Sequence, residues 1–126
     1  MPCHVNRSRF GELVERALES LPEQFNSFLE EVPIEIRDRS TPRQRQSVGA
    51  GKGRLLLGLY HGRPLTQRSV EQSGSMPDLI YIFQEDVELA SDSEEELIEQ
   101  VRKTVLHEIG HHFGLNEEDL DELGYG

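Results

Sequence analysis

Towards the C-terminal end of the sequence stands His107-Glu108-Ile109-Gly110-His111-His112-Phe113-Gly114-Leu115-Asn116-Glu117. On a helix of about 3.6 residues per turn, side chains four apart stack on one face. His107 and His111 therefore bring two imidazole nitrogens to one point, which is half of a zinc site. Glu108 projects about 100° round the same helix. From there its carboxylate reaches a metal-bound water without ligating the metal, as a general base must. Gly114 allows the helix to end with positive φ and the chain to turn back. Glu117 then arrives as a candidate third ligand, with Glu118, Asp119 and Asp121 as alternatives if the turn differs. A competing role for Glu117 is the first turn of a following helix, where the dipole alone favours an acid.

A helical wheel over Leu97 to Phe113 separates ligands from packing. Leu97, Ile98, Val101, Val105, Leu106, Ile109 and Phe113 fill an apolar arc of roughly 180°. His107 and His111 fall outside that arc, in line with Gln100 and Thr104, so they are not core histidines. His112 falls inside it and reads as a packed histidine or one that supports the ligands from behind.

The helix that carries this motif opens at Ser93-Glu94-Glu95-Glu96, a capping box with three glutamates at the positive end of the macrodipole. It is expected to run from about Glu94 to Phe113, and Asn116 then caps a last short helix with Leu120 and Leu123. Ahead of it, Phe10, Leu13, Val14, Ala17, Leu18 and Leu21 recur at helical spacing, with Asn6 or Ser8 as cap. Residues 1–7 are expected to be a loose lead-in. Ser20-Leu21-Pro22-Glu23 reads as a capping box for a second short helix with Phe25, Phe28 and Leu29 inward. Alternating Val32, Ile34 and Ile36 predict a half-buried strand over 33–38 near a sheet edge.

Residues 39–53, polar and glycine-rich, are expected to be a long flexible loop. Within it Gly49-Ala50-Gly51-Lys52-Gly53 fails as a phosphate-binding loop, since Gly53 stands where Ser or Thr should hold Mg²⁺ and no helix pattern follows. Arg54 to Tyr60 and Leu79 to Phe83 are apolar runs of strand length. Between Gln84 and Ala90 there is room for one or two helical turns.

The composition is that of one soluble domain spanning residues 1–126, with 35% hydrophobic and 29% charged residues. No apolar run reaches membrane-span length, and the N-terminus lacks an apolar signal region. The single cysteine, Cys3, excludes an intrachain disulfide. The expectation is a cytoplasmic protein. Net charge is −11, which argues against non-specific nucleic-acid binding. The charge is uneven, however: residues 37–68 hold 8 basic residues and only Asp38 as an acid.

Taken together, the chain resembles the small bacterial zincin-like metallopeptidase family of minimal size. The resemblance rests on Leu18 to Pro22, Val32-Pro33-Ile34, Leu57 to Gly62 with Pro64-Leu65-Thr66, Pro77-Asp78, and above all Thr104 to Leu115. It implies an α+β zincin-like fold, with a small mixed β-sheet packed against helices that include the His-Glu-x-x-His helix. It also implies His107 and His111 as metal ligands, Glu108 as catalytic base, and Glu117 as third ligand where metzincins often carry histidine. The sequence departs from metzincins in lacking a Met-turn: nine residues follow Glu117, and Met76 precedes the helix. An anionic third ligand makes the ion a weaker Lewis acid, so activity is expected to be weak or narrow.

The chemistry expected is zinc-dependent hydrolysis of a peptide or protein substrate, with Glu108 taking a proton from the attacking water and returning it to the leaving amine. Manganese, iron, cobalt or nickel would also suit this donor set. An oxyanion donor would have to be a residue such as His61, Tyr60 or Tyr125. An exposed strand edge at Arg54 to Tyr60 would suit an extended peptide. Two rival readings remain: a non-catalytic zincin-fold binding module, and a metal-dependent RNA hydrolase using the basic segment 37–68. The RNA reading lacks the third histidine such sites usually present, so neither nucleic acid nor a membrane is an expected partner.

Overall fold

A computed structural model describes residues 2–51, 53–62, 78–112 and 118. Its elements in chain order are α1 (Arg7–Glu19), a 3₁₀ turn (Glu23–Phe25), α2 (Asn26–Glu31), β1 (Ile34–Arg37), α3 (Pro42–Ser47), β2 (Gly58–His61), β3 (Leu79–Phe83), α4 (Gln84–Leu89) and α5 (Glu94–His112). The class is α+β, with a mixed three-stranded sheet in the order β1-β3-β2. β3 runs parallel to β1, with Ile34 opposite Ile80, and antiparallel to β2, with Tyr60 opposite Ile80. Among the described residues both β1 and β2 are thus edge strands, as the proline before Ile34 predicts for the first of them.

Local signals explain most of these elements. Asn6 caps α1, its side chain accepting from the Arg9 amide. The spacing of Phe10, Leu13, Val14 and Ala17 puts all four inside the core. Ser20 does not open the second helix. Its hydroxyl donates back to Ala17 C=O at 2.7 Å and closes α1, and neither the 3₁₀ turn nor α2 has a side-chain cap. On α5, Ser93 Oγ accepts from the Glu96 amide at 3.1 Å, as the capping pattern predicts.

The segment expected to be a loop, 39–53, contains α3. Thr41 and Gln44 form a reciprocal capping box with Pro42 at the first turn. At the other end the Ala50 and Gly49 amides donate to Arg45 and Gln46 C=O, with Gly49 at φ 72°, which is a Schellman close. The helix buries no side chain, so hydrophobic periodicity carries no trace of it. The lead-in expected to be loose is likewise held. Cys3 N–H donates to Ser91 C=O at 2.6 Å, and the Val5 amide donates to the buried Glu88 carboxylate at 2.8 Å. Gln84, one turn before Glu88 on α4, donates to Val5 C=O at 3.0 Å.

The core lies between the helices and one face of the sheet. Phe10, Leu13 and Ala17 of α1, Ile80 and Ile82 of β3, and Leu97, Val101 and Val105 of α5 are fully buried. Helix α5 packs on α1, on β2 and on β3, and so spans both halves of the core. Gly58 lets it approach β2. A Cβ there would stand 2.5 Å from Thr104 Cγ2 and 2.8 Å from Tyr81 O. No helix among the described residues is long and apolar enough to cross a membrane.

Candidate metal centre

Helix α5 turns its apolar stripe into the core and leaves His107 and His111 half-buried beside it, as their exclusion from the apolar arc predicts. Their ring centroids lie 4.7 Å apart, edge to face. One donor atom each from His107, Glu108 and His111 can be chosen so that all lie within 4.8 Å of one another. The two imidazole nitrogens are donors that suit a borderline divalent ion such as zinc, and the Glu108 carboxylate beside them is placed to reach a water on that ion. The residues fit the group that the motif implies. Glu117, expected as third ligand, lies outside the described residues, as do Asp119, Asp121 and Tyr125; Glu118 is described and exposed.

Glu108 is deeper than its place on the helix alone suggests, at 7% exposure. Its Oε1 accepts the backbone N–H of Tyr60 at 2.8 Å. The ladder explains why that amide is available. In an antiparallel pair alternate residues face the partner strand, and Phe83 N–H bonds Leu57 C=O at 2.9 Å. Leu59 and His61 therefore bond towards β3 while Tyr60 N–H turns outward. The strand edge expected to receive a peptide is capped at Tyr60 by the glutamate of the site.

One turn further along α5, Tyr60 makes a second attachment. Its hydroxyl lies 2.9 Å from His112 Nδ1, and Asp78 Oδ2 lies 3.3 Å from the same nitrogen. A carboxylate only accepts, so an N–H at Nδ1 would serve both oxygens. His112 is 7% exposed and sets its ring edge to face with Phe28 at 4.8 Å. It is the packed, supporting histidine that the wheel predicts. Gly62, opposite Asp78 at the end of the β2–β3 pair, has φ 145°, and a Cβ there would overlap the Asp78 carboxylate. Only glycine leaves Asp78 in reach of His112.

Sequence reasoning named Tyr60 for its hydroxyl alone and gave Asp78 no role, because neither shares an element with α5. As an oxyanion donor Tyr60 is redirected by these contacts, since its hydroxyl meets His112. His61, the next candidate, stands on the opposite face of β2, exposed, with its ring 6.2 Å from Tyr81. In the basic segment, Arg37 pairs with Glu35 at 2.9 Å, Arg39 with Glu85 at 2.9 Å and Arg45 with Asp86 at 3.6 Å. Much of that charge is matched within the chain.

A family model described as zincin-like metallopeptidase matches residues 29–126. Among solved structures, a conserved hypothetical protein from T. thermophilus is similar over 94% of this chain and 97% of its own, with TM-score 0.55 and 22% identity. At that identity the likeness is one of fold. No curated protein matches the chain.

Proposed function

Because the chain belongs to the zincin-like metallopeptidase family, we propose that it is a metal-dependent peptide-bond hydrolase, with His107, His111 and Glu117 as metal ligands and Glu108 as proton carrier. The observation that carries this reading is the convergence of donor atoms from His107, Glu108 and His111 within 4.8 Å on one helix. Zinc, when bound, would supply Lewis acidity, polarising a carbonyl and making water acidic near neutral pH. Glu108 would take the proton from the attacking water and hand it to the departing amine. Its bond from Tyr60 N–H holds one carboxylate oxygen in place, so the base is oriented before substrate arrives. His112, held by Tyr60 and Asp78, keeps the end of the helix against β2.

One observation favours a second reading, a binding module in which the cluster is structural. Glu108 is buried and tied into β2, which is also what a purely structural carboxylate would do. Glu108→Gln separates the two, because the amide oxygen still accepts Tyr60 N–H while the basicity is gone. The experiment is metal content per chain on tag-free protein purified without added metal, with Glu117→Ala and Glu108→Gln alongside, followed by a peptide-library cleavage screen. The hydrolase reading expects near-stoichiometric zinc, loss of zinc in Glu117→Ala, and retained zinc with lost cleavage in Glu108→Gln. Absence of metal from the wild type after zinc is offered, or equal cleavage by Glu108→Gln, would overturn it. Unfolding on metal removal with no effect of Glu108→Gln is the result the binding-module reading expects.

A further inference from the structure

Within the described residues α5 ends at His112, and His111 lies in its last turn. The last turn of a helix has carbonyls with no intrahelical partner and frays readily. Holding His111 beside His107 therefore needs something outside the helix. Thr104, Glu108 and His112, each four residues on, form one ridge of α5, and this ridge lies along β2. Thr104 meets Gly58, where a Cβ would stand 2.5 Å from its Cγ2. Tyr60, two residues further and on the same face of the strand, meets the other two. Its backbone N–H donates to Glu108 Oε1 at 2.8 Å, and its hydroxyl lies 2.9 Å from His112 Nδ1. Asp78, next to the start of β3, puts Oδ2 3.3 Å from the same nitrogen. Phe28 of α2 also packs on His112, edge to face with ring centroids 4.8 Å apart. The ligand pair His107 and His111 sits about 100° round the helix from this ridge and is left half-buried.

We infer that Asp78 and Tyr60 are positioning residues for the metal cluster: by fastening His112 they keep the last turn of α5 wound, and with it His111 within reach of the ion that His107 also holds. The inference rests on the metal centre of the hydrolase reading and adds to it two residues that act through His112 rather than on the ion. The physical reason is pre-organisation. An unwound last turn carries His111 away from His107, and an ion then binds with an affinity lowered by the fraction of molecules in which the turn is wound. An N–H at His112 Nδ1 has two acceptors, the Asp78 carboxylate and the Tyr60 hydroxyl, so each holds part of the turn. The side chains of His112 and Asp78 are 9% and 10% exposed, so water does not readily replace a partner that is removed. Gly62 belongs to the same arrangement, since a Cβ there would overlap the Asp78 carboxylate and displace it.

The test uses the full chain and the metal alone as probe. Zinc is competed against a chromophoric chelator, the visible absorption of the cobalt-loaded protein reports coordination geometry, and amide exchange over 109–112 in the metal-free protein reports the turn. Asp78→Ala and Tyr60→Phe should each bind zinc about tenfold or more weakly, shift the cobalt bands, and exchange faster over 109–112 before any metal is added. Tyr60→Phe keeps the ring and the backbone N–H to Glu108. Asp78→Asn keeps an acceptor oxygen for His112 and should recover most of what Asp78→Ala loses. Glu88→Ala, which weakens the fold where Val5 N–H is held, should leave zinc affinity and cobalt bands at their wild-type values. Wild-type zinc affinity and cobalt bands in both Asp78→Ala and Tyr60→Phe would overturn the inference. So would equal losses in Asp78→Asn and Asp78→Ala, or a loss in Glu88→Ala as large as theirs. Should Asp78→Ala fail to fold, Tyr60→Phe, which loses only a hydroxyl, decides. A wild type that takes up zinc and cleaves peptide while the variants match it removes this inference alone. Zinc uptake without cleavage, weakened in the variants, removes the hydrolase reading and leaves this one standing; a wild type that takes up no zinc removes both.

Discussion

Substituting Gly58 by alanine tests the link between packing and the metal cluster. The new methyl would sit 2.5 Å from Thr104 Cγ2, 2.8 Å from Tyr81 O and 3.4 Å from Ile82 Cδ1. Carbon atoms pack at about 3.5–4.0 Å, so the first contact is short by about 1 Å. Neither close neighbour gives easily. Thr104 is held in its rotamer by a 2.7 Å bond from Oγ1 to Gln100 C=O, and Tyr81 O belongs to the central strand. β2 must therefore move away from α5. Overpacking of this kind costs about 1–3 kcal/mol, and the entropy gained by replacing glycine offsets about 0.4–1 kcal/mol of it. A net loss of about 1–2 kcal/mol corresponds to a fall in melting temperature of about 4–10 °C for a chain of this size.

Calorimetry of the single variant, of Thr104→Ser and of the double variant gives the coupling. Thr104→Ser removes Cγ2 and keeps Oγ1, so it should restore part of the loss, with a coupling of about 1 kcal/mol. The contact with Tyr81 O remains and should prevent full rescue. In the displaced strand the Tyr60 amide should exchange faster, since its bond to Glu108 lengthens. A Gly58→Ala variant within about 0.5 kcal/mol of wild type, or strict additivity with Thr104→Ser, would refute the close approach of α5 to β2.

Other perturbations give separate checks. Arg9 bonds the Glu94 carboxylate through Nε at 2.9 Å and Nη2 at 2.7 Å, and this holds the Glu94 pKa below its ordinary value of 4.5. A depressed carboxylate pKa adds stability above the unfolded value and loses it as pH falls through the folded one. The difference in melting temperature between wild type and Arg9→Gln should thus be constant at neutral pH and shrink below pH 4.5; a gap that widens in acid would contradict the pairing. Glu88→Ala should cost about 1–3 kcal/mol by leaving Val5 N–H without its acceptor, with fast amide exchange over 3–5 as the local signature. Burial foremost, then Glu94 and Glu88, pushes the Cys3 thiol pKa above its ordinary 9.0, so iodoacetamide should modify it faster in Glu88→Ala than in wild type. Gly11→Ala, in open space within α1, should stabilise the fold by about 1 kcal/mol by urea denaturation.

The clustering of His107 and His111 was legible in the sequence because it depends on one element alone. Covalent geometry and the 3.6-residue turn put residues four apart on one face whatever surrounds them. The same holds for the caps of α1 and α5, for the buried face of α1, and for the burial of His112 inside the apolar arc of α5. Helix α3 was equally local, written in Thr41-Pro42-Arg43-Gln44 and Gly49, but apolar periodicity is silent about a helix that buries nothing.

What the tertiary structure alone decided is which distant groups meet. Tyr60 is 48 residues from Glu108 and 52 from His112, and no spacing rule connects them. Their contact follows from β2 being an edge strand whose alternate amides turn outward, and from Gly58 admitting α5 to that edge. Whether Asp78 reaches His112 depends likewise on the register that sets it beside Gly62. Strand order is the common cause. Alternation within a strand says which side chains share a face, but only the placing of β3 between β1 and β2 says which backbone edge meets the metal helix.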